Sequence, residues 1–229
     1  MTTTTPATDA ARALRALEDS SPTVRLQAAL AVGTRPDPCF VGKLVERCAV
    51  EPEFFVRDML TWALVRHPVN LTLPELLREV RSERAQARSQ ALHTLSKIGD
   101  RRAWPEITPA LLSDADDEVA RSAWRAAVVL VPEGEQLSLA TVLVTQLGRG
   151  ERPTRLSLSQ ALVALGEAIV PALDTATTHP DPRVRTHALA TTALLREPEA
   201  GFECAIEEAK RVAALTGAPG ADDENRADR

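Results

Sequence analysis

Ser21-Pro22-Thr23-Val24-Arg25-Leu26-Gln27-Ala28-Ala29-Leu30-Ala31-Val32 and Asp181-Pro182-Arg183-Val184-Arg185-Thr186-His187-Ala188-Leu189-Ala190-Thr191-Thr192 follow one plan. Each has a capping residue, a proline, an arginine three residues on, and then small and apolar residues at helical spacing. The arginine recurs at Arg57, Arg88, Arg121 and Arg155, so the six anchors are separated by 32, 31, 33, 34 and 30 residues. Three positions after each anchor stand Ala28, Leu60, Ala91, Trp124, Leu158 and Ala188; seven after stand Val32, Leu64, Leu95, Val128, Leu162 and Thr192. These offsets trace one face of a helix. Six positions on, the residue is small each time (Ala31, Ala63, Thr94, Ala127, Ala161, Thr191), as close helix packing requires.

Turn-type clusters precede the anchors: Asp19-Ser20-Ser21-Pro22, Glu51-Pro52-Glu53, Asp114-Ala115-Asp116-Asp117, Gly148-Arg149-Gly150-Glu151 and His179-Pro180-Asp181-Pro182. Each opens the second helix of a pair. First helices are predicted at about Asp9–Glu18, Cys39–Ala49, Leu73–Val80, Trp104–Leu112, Glu135–Leu147 and Glu167–Thr177. Gly99 and Gly166 fall where a left-handed C-cap belongs. Pro74, Pro105 and Pro171 read as first-turn prolines, and Pro109 as a kink. Such a hairpin cannot bury both apolar faces alone, so six stacked in one direction share a continuous core. The fold class is therefore all-α: an α-solenoid of about six helical hairpins over residues 9–216. A C-terminal capping helix, Gly201–Leu215, carries Phe202, Cys204, Ile206, Val212 and Leu215 inward. Residues 1–8 are expected to be loose and the acidic stretch 217–229 disordered.

Among the 229 residues, aromatics make up 3% with no Tyr, which disfavours a sheet-rich protein and shifts the core to Leu, Ala and Val. The longest apolar run, Ala126–Val131, falls short of the roughly 20 residues that cross a bilayer. The N-terminal stretch lacks the basic start and apolar core of a signal peptide, so a cytoplasmic protein with no membrane association is expected. The net charge of −5 disfavours nucleic acid as partner, because non-specific phosphate affinity comes from an excess of Lys and Arg. Cys39, Cys48 and Cys204 share no Cys-x-x-Cys spacing and read as reduced thiols, not as a zinc site.

These residues resemble HEAT-like repeats, in particular the short bacterial type first associated with phycobiliprotein lyases. Gly99-Asp100-Arg101-Arg102-Ala103-Trp104-Pro105-Glu106-Ile107 followed by Asp116-Asp117-Glu118-Val119-Ala120-Arg121 carries the likeness. Gly166-Glu167-Ala168-Ile169-Val170-Pro171-Ala172-Leu173 with Pro180-Asp181-Pro182-Arg183-Val184-Arg185 carries it more closely. It spans about Asp9–Arg196; Glu51-Pro52-Glu53-Phe54-Phe55 and Ser82-Glu83-Arg84-Ala85 depart from it. The resemblance implies a right-handed, armadillo-like superhelix whose second helices line the inner surface. It implies a scaffold more readily than an enzyme.

The six arginines (Arg25, Arg57, Arg88, Arg121, Arg155, Arg185) are read as a structural ladder, each bonded to its preceding turn or to an acid of the adjacent repeat. Asp19, Glu53, Glu118, Asp181, Glu151 and Glu83 are the expected acids. One, five and nine positions after an anchor lies a stripe off the core column: Asp58, Trp62 and Arg66, then Ser89, His93 and Lys97, with Arg125 beside the next. These seven are the candidate partner-binding residues, since Trp and Arg are enriched at binding hot spots. Trp62 suits a gap between helices more readily than an open surface. Trp124 and Trp104 read as packing residues. No catalytic, metal or cofactor residues are assigned: the four histidines are followed by Pro68, Thr94, Pro180 and Ala188, so the His-Glu pairs of HEAT-repeat iron hydroxylases do not occur. The favoured expectation is a non-catalytic scaffold for a protein partner. The alternative is a bilin-lyase-like enzyme or an alkylpurine DNA glycosylase-like protein on the same repeats; the oligomeric state is left open.

Overall fold

The computed structural model describes residues 6–197 and 201–216. They hold thirteen α-helices and no strand, and no single helix among them is long and apolar enough to cross a membrane. The predicted tail over 217–229 lies outside the described residues. So do residues 1–5, whereas Pro6 already opens the first helix.

The chain forms two compact units, Met1–Glu135 and Gln136–Arg229. The first contains α1 (Pro6–Ala16), α2 (Pro22–Thr34), α3 (Val41–Cys48), α4 (Phe54–Val65), α5 (Val69–Val80), α6 (Ala85–Ile98), α7 (Pro109–Leu112) and α8 (Asp117–Leu130). Helices α2, α4, α6 and α8 pack in succession, and α1, α3, α5 and α7 each lie against the helix that follows them. The second contains α9 (Gln136–Val144), α10 (Arg152–Val163), α11 (Val170–Ala176), α12 (Pro182–Arg196) and α13 (Gly201–Thr216). There α12 packs on α10, α11 and α13.

The anchors place the second helices as the punctuation predicts. Asp116 caps α8, its side chain accepting from the Glu118 and Val119 amides, while Asp117 and Glu118 put negative charge at the positive end of the helix dipole. Asp181 caps α12 with Pro182 at its first turn, and Gly99 closes α6 at φ +70°. The whole three-residue column from Ala28 to Ala188 is buried. Of the small-residue column only Ala31 is exposed.

The first helices are more broken than predicted. Pro109 does not kink a helix over Trp104–Leu112: Arg101–Glu106 is a 3-10 turn, the chain bends, and Pro109 starts α7 behind Thr108 as N-cap. Proline lacks the N–H a helix interior needs, so a fresh start is cheaper than a kink. Pro38–Phe40 and Gly166–Ile169 are likewise 3-10 turns leading into α3 and α11. Helix α5 starts at Val69, so Pro74 sits inside it and not in its first turn. Helix α13 buries Phe202, Ala205 and Ala209 against Ala190 and Leu194 and turns Glu207, Glu208, Lys210 and Arg211 to solvent. The side chains of Cys204 and Leu215 lie outside the described residues.

Candidate functional site

Four of the six arginines make the same clamp: Nη1 donates to the carbonyls five and six residues back. Arg25 holds Asp19 and Ser20, Arg57 holds Glu51 and Pro52, Arg88 holds Ser82 and Glu83, and Arg185 holds His179 and Pro180. The guanidinium thereby fastens each helix to its entry turn. Asp19 and Glu83, two of the expected acids, offer main-chain carbonyls to these clamps, not carboxylates. Glu118 pairs with Arg121 as expected, but for two other anchors the acid lies in the following repeat: the Glu51 carboxylate takes Arg25 in a bidentate bond at 2.7 and 2.8 Å, and Asp114 takes Arg88 at 3.1 and 3.2 Å. Glu51 is fully buried and also accepts from Arg47 and from the Glu53 amide. Burial alone would raise its pKa, but these donors prevail and hold it at about 2.

Among the described residues Arg121 and Arg155 make no such clamp, and Arg57 makes it with its Nε left over. Arg121 pairs with Glu118, and the Nε of each of Arg57, Arg121 and Arg125 is buried without a partner. All three border a groove of about 360 Å³ across α4, α6 and α8. Phe54, Arg57 and Asp58 form one wall, Ser89, Gln90 and His93 the floor, and Glu118, Arg121, Ser122 and Arg125 the other wall. A second depression of about 260 Å³ adjoins it and shares Arg57, Ser89, Gln90 and Glu118. The floor is bonded to this wall: Ser89 Oγ meets Ser122 Oγ at 3.0 Å, and Arg125 Nη2 donates to Ser122 Oγ. The cations repel one another. His93 has its pKa lowered by burial and by Arg125 and Lys97; Arg125 has its own lowered by burial and by Arg121.

The structure divides the seven candidate residues. Asp58, Ser89, His93 and Arg125 line the groove, with Ser89 buried and hydrogen-bonded. Lys97 is exposed near the end of α6. Trp62 and Arg66 lie farther along the chain from the groove, where the Trp62 ring covers Gly33 of α2. A methyl group on Gly33 would meet that ring at 2.3 Å. Arg66 stacks 5.0 Å from the Trp62 ring and donates from Nε to the Gly33 carbonyl at 2.7 Å. At 37% exposed, Trp62 is both an interhelical filler and an open edge. Phe54, Gln90 and Arg121 also line the groove although they lie off the stripe; Phe54 falls in the stretch that departs from the repeat, and Arg121 has the signature of the ladder.

No family model matches this chain, and no curated protein does. Among solved structures, an engineered protein is similar at 15% identity with a TM-score of 0.46, over 83% of this chain and 98% of that one.

The second unit brings a serine and a histidine together that the spacing did not reveal. Ser159 Oγ lies 3.0 Å from His187 Nε2 and 2.8 Å from Thr191 Oγ1. The Gly148 amide donates to His187 Nδ1, so Nε2 carries the proton and gives it to Ser159 and to the Arg155 carbonyl. Thr191 donates to the His187 carbonyl, which leaves its oxygen to accept from Ser159. The polarity is the reverse of an activated nucleophile, whose hydroxyl must donate to the base. All three side chains are buried, and burial brings the His187 pKa to about 4. This network is a stitch between helices. Its Ser159–Thr191 element repeats the Thr61–Thr94 hydroxyl contact of the first unit. Trp124 is another structural residue, fully buried with Nε1 bonded to the Leu112 carbonyl; Trp104 bonds Glu135. Burial pushes the Cys48 thiol up to about 12, and the exposed Cys39 is raised to about 11 by partial desolvation and by the Asp37 carboxylate beside it, both far from a reactive thiolate. Among the described residues no group of three His, Cys, Asp or Glu side chains converges as metal ligands.

Proposed function

We propose that this chain is a non-catalytic scaffold of HEAT-like helical pairs that binds a partner protein through the second-helix face of α4, α6 and α8. The observation that carries this reading is the exposure of Phe54, at 73%, on the rim of a groove whose walls hold three guanidinium groups. A large aromatic left open beside arginines has the composition of a binding hot spot. Phe55 and Val50 are also exposed nearby in sequence. The Thr61–Thr94 and Ser89–Ser122 contacts link α4 to α6 and α6 to α8, and the Arg57 and Arg88 clamps hold the entrances of α4 and α6, so a partner meets a preformed surface.

The test is site-specific crosslinking in cells, with p-benzoylphenylalanine in place of Phe54 and, as control, in place of the exposed Leu137 of α9. The expected result is a partner protein attached at position 54 and not at position 137. No product at position 54, or the same products at both positions, overturns the reading.

A further inference from the structure

The unpaired charge in the groove gives its ligand a chemistry, an inference that rests on the docking face proposed above. We propose that the groove between α4, α6 and α8 receives a carboxylate from an acidic, apolar peptide segment of the partner, held by Arg125 and Arg121 while an apolar residue of that segment lies on Phe54.

Arg125 is half-buried, and its one side-chain hydrogen bond is to the neutral Ser122 hydroxyl. Among the described residues no carboxylate is in direct contact with it; Glu118, in the same wall, acts on it only at longer range. A guanidinium withdrawn from water without a counter-ion is a costly arrangement, and the cost is recovered when an anion arrives. Arg121, one turn earlier on α8, has Glu118 as its acid, but that carboxylate is 65% exposed and such a pair contributes little. The two arginines thus present a fork-shaped cationic wall. Gln90 on the floor adds an amide able to bond a peptide main chain. Phe54, facing solvent with Arg57 5.9 Å from its ring centroid, supplies the apolar contact.

The same inventory disfavours a polyphosphate. Asp58 and Glu118 stand in the groove walls, where a run of phosphates would meet both, and the chain as a whole carries −5. One carboxylate between Arg121 and Arg125 avoids that repulsion.

The test uses the full chain and two fluorescein-labelled dodecapeptide pools. One pool is built from Asp, Glu, Leu, Phe and Gly; the other replaces the acids with Asn and Gln. A short thymidine oligonucleotide is the third probe. Binding is read by fluorescence anisotropy, and Nε–Hε resonances of the arginines locate the contact. The acidic pool is expected to bind, to shift the Arg121 and Arg125 resonances, and to weaken by about tenfold or more in Arg125→Gln and Arg121→Gln. Arg183→Gln, at an exposed arginine of α12, leaves binding unchanged. Circular dichroism confirms that each variant folds, and Arg125→Lys, which keeps the charge without the fork, falls between. Equal binding of both pools, lost only in Phe54→Ser, overturns the carboxylate and leaves the docking face standing. Binding of the oligonucleotide in place of the peptides overturns it in favour of nucleic acid. Failure of the acidic pool to bind while position 54 still crosslinks a partner overturns it as well, and failure of both experiments removes the face together with its ligand.

Discussion

Gly33 and Trp62 show how one residue's missing side chain sets another's position. Alanine is the better helix former by about 1 kcal/mol, so on propensity alone Gly33→Ala would stabilise α2. Here the added methyl would meet the Trp62 ring at 2.3 Å and the Ala63 Cα at 2.9 Å. The ring edge is open and can swing away; the backbone atom cannot. Moving the ring also breaks the Arg66 stack and its bond to the Gly33 carbonyl. Overpacking typically costs about 1–3 kcal/mol and falls in the last turn of α2, where helix propensity counts least. Gly33→Ala is therefore expected to lower stability by about 1–2 kcal/mol in urea denaturation. In a Trp62→Ala background the penalty shrinks, and the remainder reports Ala63. A stabilising Gly33→Ala would mean that α2 and α4 are less closely held than these distances require.

At the level of the helix, the strength of the second helices lies in their entrances. Asp114 accepts from Arg88 of α6 and from the Asp116 amide, and Asp116 in turn caps α8. Asp116→Ala should cost about 1 kcal/mol and speed hydrogen exchange at the Glu118 and Val119 amides, whereas Asp116→Asn, which keeps an acceptor oxygen, should cost little. Equal losses for Ala and Asn would place the effect in the charge. These entrances were legible in the sequence because capping chemistry is local: an Asp, a Pro and an Arg at fixed offsets define the turn without reference to anything distant. The first helices were less legible, since Pro38, Pro109 and Pro171 each mark a bend or 3-10 turn at a helix start and periodicity runs on through such breaks. Pairings across repeats were hidden for a related reason. Glu51 and Asp114 lie 26 residues beyond their arginines, and nothing in the local pattern distinguishes them from Glu53 or Glu83. In the candidate site, Asp58, His93 and Arg125 followed from the stripe. Phe54 did not, because it opens α4 straight after an entry turn that departs from the repeat, ahead of the anchor from which the stripe is counted.

For the whole molecule, the two units should respond to acid at different pH. In Gln136–Arg229, His187 is buried and neutral, with a pKa of about 4 against 6.5 in the open chain. The unfolded state binds the extra proton between these values, so this contribution is complete above pH 6.5 and is lost as pH falls towards 4. It amounts to about 3 kcal/mol. In Met1–Glu135 the corresponding buried group is Glu51, at about 2 against 4.5. Its folded form binds fewer protons, so its similar contribution is complete above pH 4.5 and is lost only as pH falls towards 2. His93 of this unit is displaced in the same direction as His187, but it is only half-buried, where water hydrates the charge at smaller cost. Trp62, Trp104 and Trp124, the three tryptophans of the chain, all lie in Met1–Glu135. Tryptophan fluorescence therefore follows one unit, while circular dichroism at the helix band follows both. In an acid titration, helix signal should begin to fall between pH 6.5 and 4 with the fluorescence still native, and the fluorescence should change between 4.5 and 2. His187→Gln removes the titrating imidazole and should abolish the pH dependence of the first phase, leaving the second in place. Glu51→Gln strands Arg25 and Arg47 beside a neutral amide, so it should destabilise the fluorescent unit at neutral pH and flatten the second phase. Superimposed fluorescence and dichroism curves would show instead that the units unfold as one cooperative body, with His187 and Glu51 drawing on a shared stability.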